Sequence, residues 1–247
     1  MPVLHLLGTG AALSSGARTT TMLAVAVPGS VLLIDCGGDA AQRMLAQGIA
    51  LDELEAVVLT HEHPDHIGGF PLLVERLWLA GRRHPLPVHG PEETLERARR
   101  LWETFDTSGW EGVPELEWQP VALEQSAKVL TSDAWRVTAA PGEHSVPSIA
   151  LRCEHRGTES AVVYSADTRP TGAVVRLAAC ADLLVHEATG GEGGGHSTAE
   201  AAAEIAAEAG VARLVLVHLP PETPDLETAR RSFTPIELGE DGGRYDF

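Results

Sequence analysis

Residues 56–69 read AVVLTHEHPDHIGG. An apolar run that fits a buried strand breaks into a turn holding His61, Glu62, His63, Pro64, Asp65 and His66, and Gly68-Gly69 leads on into a second apolar segment. Three imidazoles and a carboxylate this close together, with no thiolate, have the donor chemistry of Zn, Mn or Fe in a hydrolytic site. Four donors from one turn do not enclose two ions, so further ligands are expected where other strands end. His144, behind Ala139-Ala140-Pro141-Gly142, Asp167, behind Val162–Ala166, and His218, behind Leu214–Val217, stand at such places. The competing reading is a polar surface turn with chance histidines, and the joint placement of the three later residues speaks against it.

Outward from this turn, short apolar runs alternate with longer helical patterns, which predicts an α/β layered protein of one domain, residues 1–247. Strands are expected at Val3–Leu7, Met22–Val27, Val31–Ile34, Leu54–Leu59, Pro87–His89, Trp135–Thr138, Ile149–Cys153, Ala161–Ser165, Leu183–His186 and Arg213–Val217. Helices are expected near Asp39–Ala46, Pro71–Ala80 and Glu92–Thr104, the last with Leu95, Ala98, Leu101 and Phe105 on its buried face. The stretch after it reads as loop. A helix over Thr198–Ala209 carries Ser197 and Glu200 at capping-box spacing and Gly210 as its stop. The glycines of 190–195 read as a flexible loop leading to His196, and the tail beyond Pro220 reads as peripheral.

The 35 acidic against 18 basic residues give a formal charge of −17, which disfavours long nucleic acid as a partner. No apolar run approaches the ~20 residues needed to cross a bilayer, and MPVLHLLGTGAALSS lacks the features of a secretory signal. A cytoplasmic protein is expected. Cys36, Cys153 and Cys180 share no ligand or disulfide spacing and read as buried fillers. His5, His84, His89 and His155 read as core or solvated histidines, Arg18 as a surface arginine, and Trp78, Trp102, Trp110 and Trp118 as packing or subunit contacts.

The order HxHxDH, a later His, the Asp of Ser165-Ala166-Asp167-Thr168 and a final His resembles the metallo-β-lactamase superfamily. The resemblance implies an α/β, four-layer αββα sandwich, two mixed sheets flanked by helices, with two divalent metal ions at one edge. Zinc is the first expectation, with Mn or Fe compatible. By position, His61, His63 and His144 would hold one ion, Asp65, His66 and His218 the other, and Asp167 would bridge them. Leu7-Gly8-Thr9-Gly10, His186-Glu187-Ala188-Thr189 and Gly195-His196-Ser197-Thr198 resemble ribonuclease Z and related phosphodiesterases. Gly8-Thr9-Gly10 has no third glycine at nucleotide-loop spacing and reads as a turn. His186 is assigned a structural role.

Two ions 3.5–4 Å apart, on the order of the usual dinuclear spacing, activate water and polarise a phosphoryl oxygen. Asp65 would orient that water and accept its proton. His196, backed by Glu187, would protonate the departing alkoxide; as a mere helix-start residue, His196 would instead have its pKa lowered by the macrodipole. In ribonuclease Z a long arm that grips tRNA lies between the third-motif histidine and the bridging aspartate. Only 22 residues separate His144 from Asp167, room for two short strands and a turn. A small phosphodiester, either a cyclic nucleotide or a short oligonucleotide, is therefore the expected substrate. A tRNA 3′ endonuclease, an arylsulfatase or lactonase, and a non-catalytic metal-binding module are the alternatives. A homodimer is implied by the resemblance.

Overall fold

The computed structural model describes residues 1–191 and 195–247. In chain order the first half forms β1 (Val3–Gly8), β2 (Met22–Val27), β3 (Ser30–Ile34), α1 (Ala40–Ala46), β4 (Leu54–Val58), α2 (Pro64–Ile67), α3 (Phe70–Leu79), β5 (Leu86–Gly90), α4 (Glu92–Glu103) and β6 (Leu116–Pro120). The second half forms β7 (Ala127–Thr131), β8 (Trp135–Pro141), β9 (Ile149–His155), β10 (Ala161–Tyr164), α5 (Gly172–Ala178), β11 (Leu183–Glu187), α6 (Ala199–Ala209), β12 (Leu214–Val217), α7 (Ala229–Ser232), β13 (Ile236–Leu238) and β14 (Arg244–Asp246). Of the expected glycine loop, Gly193 and Gly194 lie outside the described residues.

Two seven-stranded mixed sheets result, in the orders β14-β1-β2-β3-β4-β5-β6 and β13-β12-β11-β10-β9-β8-β7. Their inner faces meet in one core, where Leu32 and Ile34 of β3 oppose Val185 of β11 and the fully buried Trp135 of β8. The Trp135 indole N–H donates to Ser30 Oγ at 2.9 Å, pinning one sheet to the other. The outer face of the first sheet is covered by α1, α3 and α4, with Leu33, Met44, Leu73 and Leu95 in one cluster. The outer face of the second is covered by α5, α6 and α7, with Leu184, Val174, Ala203 and Ala229 in another. Strands buried on both faces read as unbroken apolar runs, which is why LLVHE and LVLV show no alternation. Each such Leu, Ile or Val contributes about 1.5–3 kcal/mol by its burial. The αββα sandwich is thus the observed architecture.

Several sequence expectations are corrected. The stretch after α4 contains two edge strands, β6 and β7. Phe105 lies beyond the end of α4 and is 56% exposed. The tail is integral: β13 pairs in parallel with β12, β14 pairs antiparallel with β1, and Leu226, Ala229 and Ile236 are buried. The α6 N-cap is Thr198, whose hydroxyl accepts the Ala201 N–H, so no Ser197/Glu200 box forms; Gly210 does end the helix in the left-handed region. Cys180 is exposed, while Cys36 and Cys153 are buried. Among the described residues no helix is long and apolar enough to cross a membrane.

The parallel pairs β3/β4 and β10/β11/β12 send their C-terminal ends to one edge of the sandwich, where ligands bind in open α/β sheets.

Candidate metal centre and acid pair

The candidate residues named from the sequence follow or end strands at that edge, except His196, which precedes α6, and Asp35 joins them there. Asp35 leaves β3, the His61–His66 turn leaves β4, His144 follows β8, Asp167 follows β10, Glu187 ends β11 and His218 follows β12. The chain is bent hard to bring them together. Asp35, Ala166 and His218 hold left-handed φ values of 60°, 49° and 53°, a strain that clusters at functional sites. Gly37 is needed for close approach, because a Cβ there would stand 1.7 Å from the Asp65 carbonyl oxygen.

The side chains form two adjoining groups. His61, His63, His144 and Asp167 make one and Asp65, His66 and His218 the other, with donor atoms in each group within 4.8 Å of one another. Asp167 Oδ2 reaches both, at 3.6 Å from His61 Nε2, 3.5 Å from His66 Nε2 and 3.3 Å from His218 Nε2. Asp65 Oδ2 lies 3.3 Å from His218 Nε2 and 3.5 Å from His66 Nε2. His63 turns Nδ1 towards His144 Nε2 at 3.1 Å.

Hydrogen bonds behind the rings fix which nitrogen faces the cluster. The Thr60 hydroxyl donates to Asp35, so it accepts from His61 Nδ1–H at 3.1 Å. The Thr189 hydroxyl donates to the His218 carbonyl, so it accepts from His218 Nδ1–H at 2.6 Å. His66 Nδ1–H donates to Asp35 Oδ2 at 2.8 Å, and His144 Nδ1–H donates to the Gly195 carbonyl at 2.9 Å. Four imidazoles therefore aim Nε2 inward, the tautomer a metal requires. His66 Nε2 and His218 Nε2 face each other at 3.4 Å, an arrangement that calls for positive charge between them.

The donor set fits divalent cations on a further count. Among the described residues His61 Nε2 and Asp167 Oδ1 are buried without any hydrogen-bond partner, and each orphan costs about 1–3 kcal/mol unless something binds it. Burial, reinforced by neighbouring imidazoles, lowers the pKa values of His61 and His63 and so favours the neutral, ligating form. Burial would also lower His66 and raise Asp167, but the Asp167 and Asp35 carboxylates push His66 well up, and His218 and His66 hold Asp167 well down. Asp65 is drawn down by His218 and His66 against the opposing effect of burial. Both shifts at the centre express one local demand for cationic charge.

Beside this cluster stands a second arrangement. Glu187 is fully buried, and its carboxylate accepts four donors: Thr168 N–H, His196 Nδ1–H and Ser197 N–H on Oε1, and Thr189 N–H on Oε2. The His196 bond is 3.0 Å and leaves Nε2 available. Its ring centroid lies 5.0 Å from that of His144 and 5.6 Å from that of His218. The hydrogen bond to Glu187 raises the His196 pKa, outweighing burial, so the macrodipole expectation is reversed. His196 also groups with Asp167 and His218 as a possible ligand set, its Nδ1 standing 3.9 Å from Asp167 Oδ2 and bonded to Glu187 at 3.0 Å.

Asp35 is the residue that sequence reasoning missed. It accepts from Thr60 N–H, the Thr60 hydroxyl and His66 Nδ1–H. Its one signal was a carboxylate at a strand exit, in Asp35-Cys36-Gly37-Gly38. Arg18 is tied to Thr9 and the Gly239 carbonyl. His186 is buried and bonds through Nδ1 to the Glu187 carbonyl, away from the cluster. His5 and His89 are buried, and His84 is exposed. Trp78 and Trp110 stack at 4.6 Å and Trp118 packs on Phe70, while Trp102 and Trp110 line part of a cavity of about 300 Å³ that no candidate site residue touches.

Comparison with known proteins agrees with this geometry. The family described as "Beta-lactamase superfamily domain" matches residues 31–219. A protein named Ribonuclease Z from Methanothermobacter thermautotrophicus is 31% identical, with 95% of this chain and 93% of that protein covered. One of the same name from Mycobacterium sp. (strain KMS) is 34% identical, with 98% and 94% covered. The archaeal alignment spans 298 positions against the 247 residues present here, so that relative carries insertions this chain lacks. The crystal structure of human tRNase Z, short form, superposes with a TM-score of 0.82 at 25% identity, covering 100% of this chain and 99% of that one. The chain therefore belongs to the β-lactamase superfamily, in its ribonuclease Z-like branch, and is a metal-dependent hydrolase of the metallo-β-lactamase fold.

Proposed function

We propose that this protein is a dinuclear phosphodiesterase that hydrolyses a small phosphodiester. His61, His63 and His144 would hold one ion and Asp65, His66 and His218 the other, with Asp167 within reach of both groups; zinc is the first candidate, with Mn or Fe compatible with the same donors. When bound, the ions supply an activated water and polarise the phosphoryl oxygen. Asp65 would orient the attacking water and take its proton. His196 Nε2 gives a proton to the departing alkoxide, while Glu187 holds the ring in place and stabilises its protonated form.

The observation that carries the reading is the Glu187–His196 pair, beside the metal cluster and not part of it. An alkoxide leaving from phosphorus needs an acid, whereas the phenolate released from an aryl sulfate makes a weaker demand for one. A tRNA 3′ endonuclease is the second reading, favoured by the names of the relatives. Against it stand the net charge of −17 and the span from His144 to Asp167, which is taken up by the β9–β10 hairpin. The test is a panel of bis(p-nitrophenyl) phosphate, cyclic nucleotides, short oligonucleotides, precursor tRNA, aryl sulfates and lactones, together with metal analysis of the protein. Turnover confined to diesters other than tRNA, with two ions per chain, is the expected result. Preferential cleavage of precursor tRNA would replace this reading by the second. A homodimer is proposed as well, and light scattering measures it.

A further inference from the structure

The loops that carry His144 and Asp167 are clasped together. Glu143 N–H donates to Thr168 Oγ1 at 2.8 Å, and Arg169 N–H donates to the Glu143 carbonyl at 2.9 Å. The same turn is fastened to the acid pair, since Thr168 N–H donates to Glu187 and the Ser197 hydroxyl donates to the Thr168 carbonyl at 2.8 Å. Pro170 follows and restricts the Arg169 backbone to extended conformations. Arg169 is thus anchored on the rim beside His144 and His196. Its side chain is exposed, and among the described residues no carboxylate, carbonyl or aromatic ring engages it.

Of the other exposed arginines without such a partner among the described residues, Arg176 lies on α5, Arg230 on α7 and Arg244 on β14, whereas Arg169 stands on the loop that carries Asp167. Near the same edge Arg97 is paired with Glu62, Arg43 with Asp241 and Arg76 with Asp39. A guanidinium is a planar fork that matches a phosphate in two parallel hydrogen bonds. The geometry points to Arg169 as a specificity-determining residue that binds a second anionic group on the part of the substrate leaving as alcohol.

This inference rests on the phosphodiesterase reading and narrows it. In the hydrolysis, water oxygen bonds to phosphorus, the bond from phosphorus to the leaving oxygen breaks, and that oxygen takes the proton of His196 Nε2. The alcohol fragment therefore departs on the side where Arg169 stands. A cyclic mononucleotide has one phosphate and offers Arg169 nothing further. A short oligonucleotide with an additional phosphate on the released nucleoside offers it a partner, and is the substrate class assigned.

The test uses diadenosine monophosphate in three forms: unphosphorylated, 5′-phosphorylated and 3′-phosphorylated. Chromatography of the products identifies which nucleoside leaves as the alcohol. The phosphate on that nucleoside should raise kcat/KM about 10-fold to 100-fold, the worth of one charge-assisted pair, and the phosphate on the other should not. In Arg169→Ala this ratio should fall to near one, and Arg169→Lys should keep part of it. Because the readout is a ratio within one variant, general damage to the enzyme cancels. No advantage in the wild type, or one that survives Arg169→Ala, overturns the inference. If bis(p-nitrophenyl) phosphate is also inert, the phosphodiesterase reading falls with it; if it is hydrolysed, only the role of Arg169 falls.

Discussion

Replacing Asp35 by Asn tests how the second ion's ligands are held. The backbone tolerates the change, because Asn is among the residues most at ease at the left-handed φ of 60° found there. The hydrogen bonds do not. Asp35 Oδ2 accepts from His66 Nδ1–H and the Thr60 hydroxyl, and Oδ1 accepts from Thr60 N–H. An amide keeps one oxygen, so its NH2 group must face either Thr60 N–H or the two donors on the other side. The buried mismatch costs about 1–3 kcal/mol of stability. The neutral amide also no longer raises the basicity of His66, and loss of such a supporting carboxylate weakens metal binding about 10-fold to 100-fold, equivalent to about 1.4–2.7 kcal/mol. The assay is uptake of zinc per chain over a series of buffered free-zinc concentrations. The ion assigned to Asp65, His66 and His218 should need the higher concentration, and the ion assigned to His61, His63 and His144 should be weakened less, because Asp35 reaches His61 only through the Thr60 hydroxyl. Superimposable uptake curves for the two proteins would refute the reasoning. Asp35→Ala is a poorer probe, since a left-handed alanine adds about 1–2 kcal/mol of strain.

Replacing His196 by Ala should leave metal content intact and lower kcat on alkyl diesters by about 10²-fold to 10⁴-fold, with a smaller loss on p-nitrophenyl esters; equal losses on both would remove the proton-donor role. In the proposed mechanism the acid form of His196 does the work, and Glu187 raises its pKa, so activity should fall as pH rises through that raised value. The stabilising part of the pair is likewise present below the ordinary histidine value and lost above the raised one. Glu187→Gln should shift the alkaline limb of the pH–rate profile to lower pH, and an unmoved limb would assign it to another group. Chelation should lower Tm, because the candidate ligands come from both sheets and bind only in the folded state. At 100 times Kd each ion contributes about 2.7 kcal/mol, a shift of roughly 5–10 °C for a chain of this size, and calorimetry with and without chelator reads it.

The metal turn was legible because its four donors are neighbours in sequence, and His144, Asp167 and His218 because each follows a recognisable strand. Glu187 and His196 rested on motif resemblance, and the 3.0 Å bond between them gives those motifs a physical basis. Asp35 was not legible, since its role exists only once β3 and β4 align and bring it against a ring 31 positions later. Strands β6 and β7 escaped because LEWQP and AKVLT lie at sheet edges, where burial does not enforce an apolar pattern. The tail was misread for a related reason. Three-residue strands such as β13 and β14 owe their conformation to the neighbours they pair with and not to their own sequence. Asp241, which receives Arg43, Thr9 and Thr19, carries no local signal of being a hub.

The bond between His144 and Gly195 has a consequence for how such enzymes diversify. It joins the segment bearing His196 to the histidine–aspartate cluster through a carbonyl oxygen, a group every amino acid possesses. The cage thus imposes almost no side-chain requirement on that segment. What it does demand is a glycine at 195, where φ is +77° and a Cβ would lie 3.1 Å from His144 Nδ1. A lineage can therefore exchange the residues around that glycine, and with them the leaving groups it accepts, while the water-activating machinery is inherited unaltered.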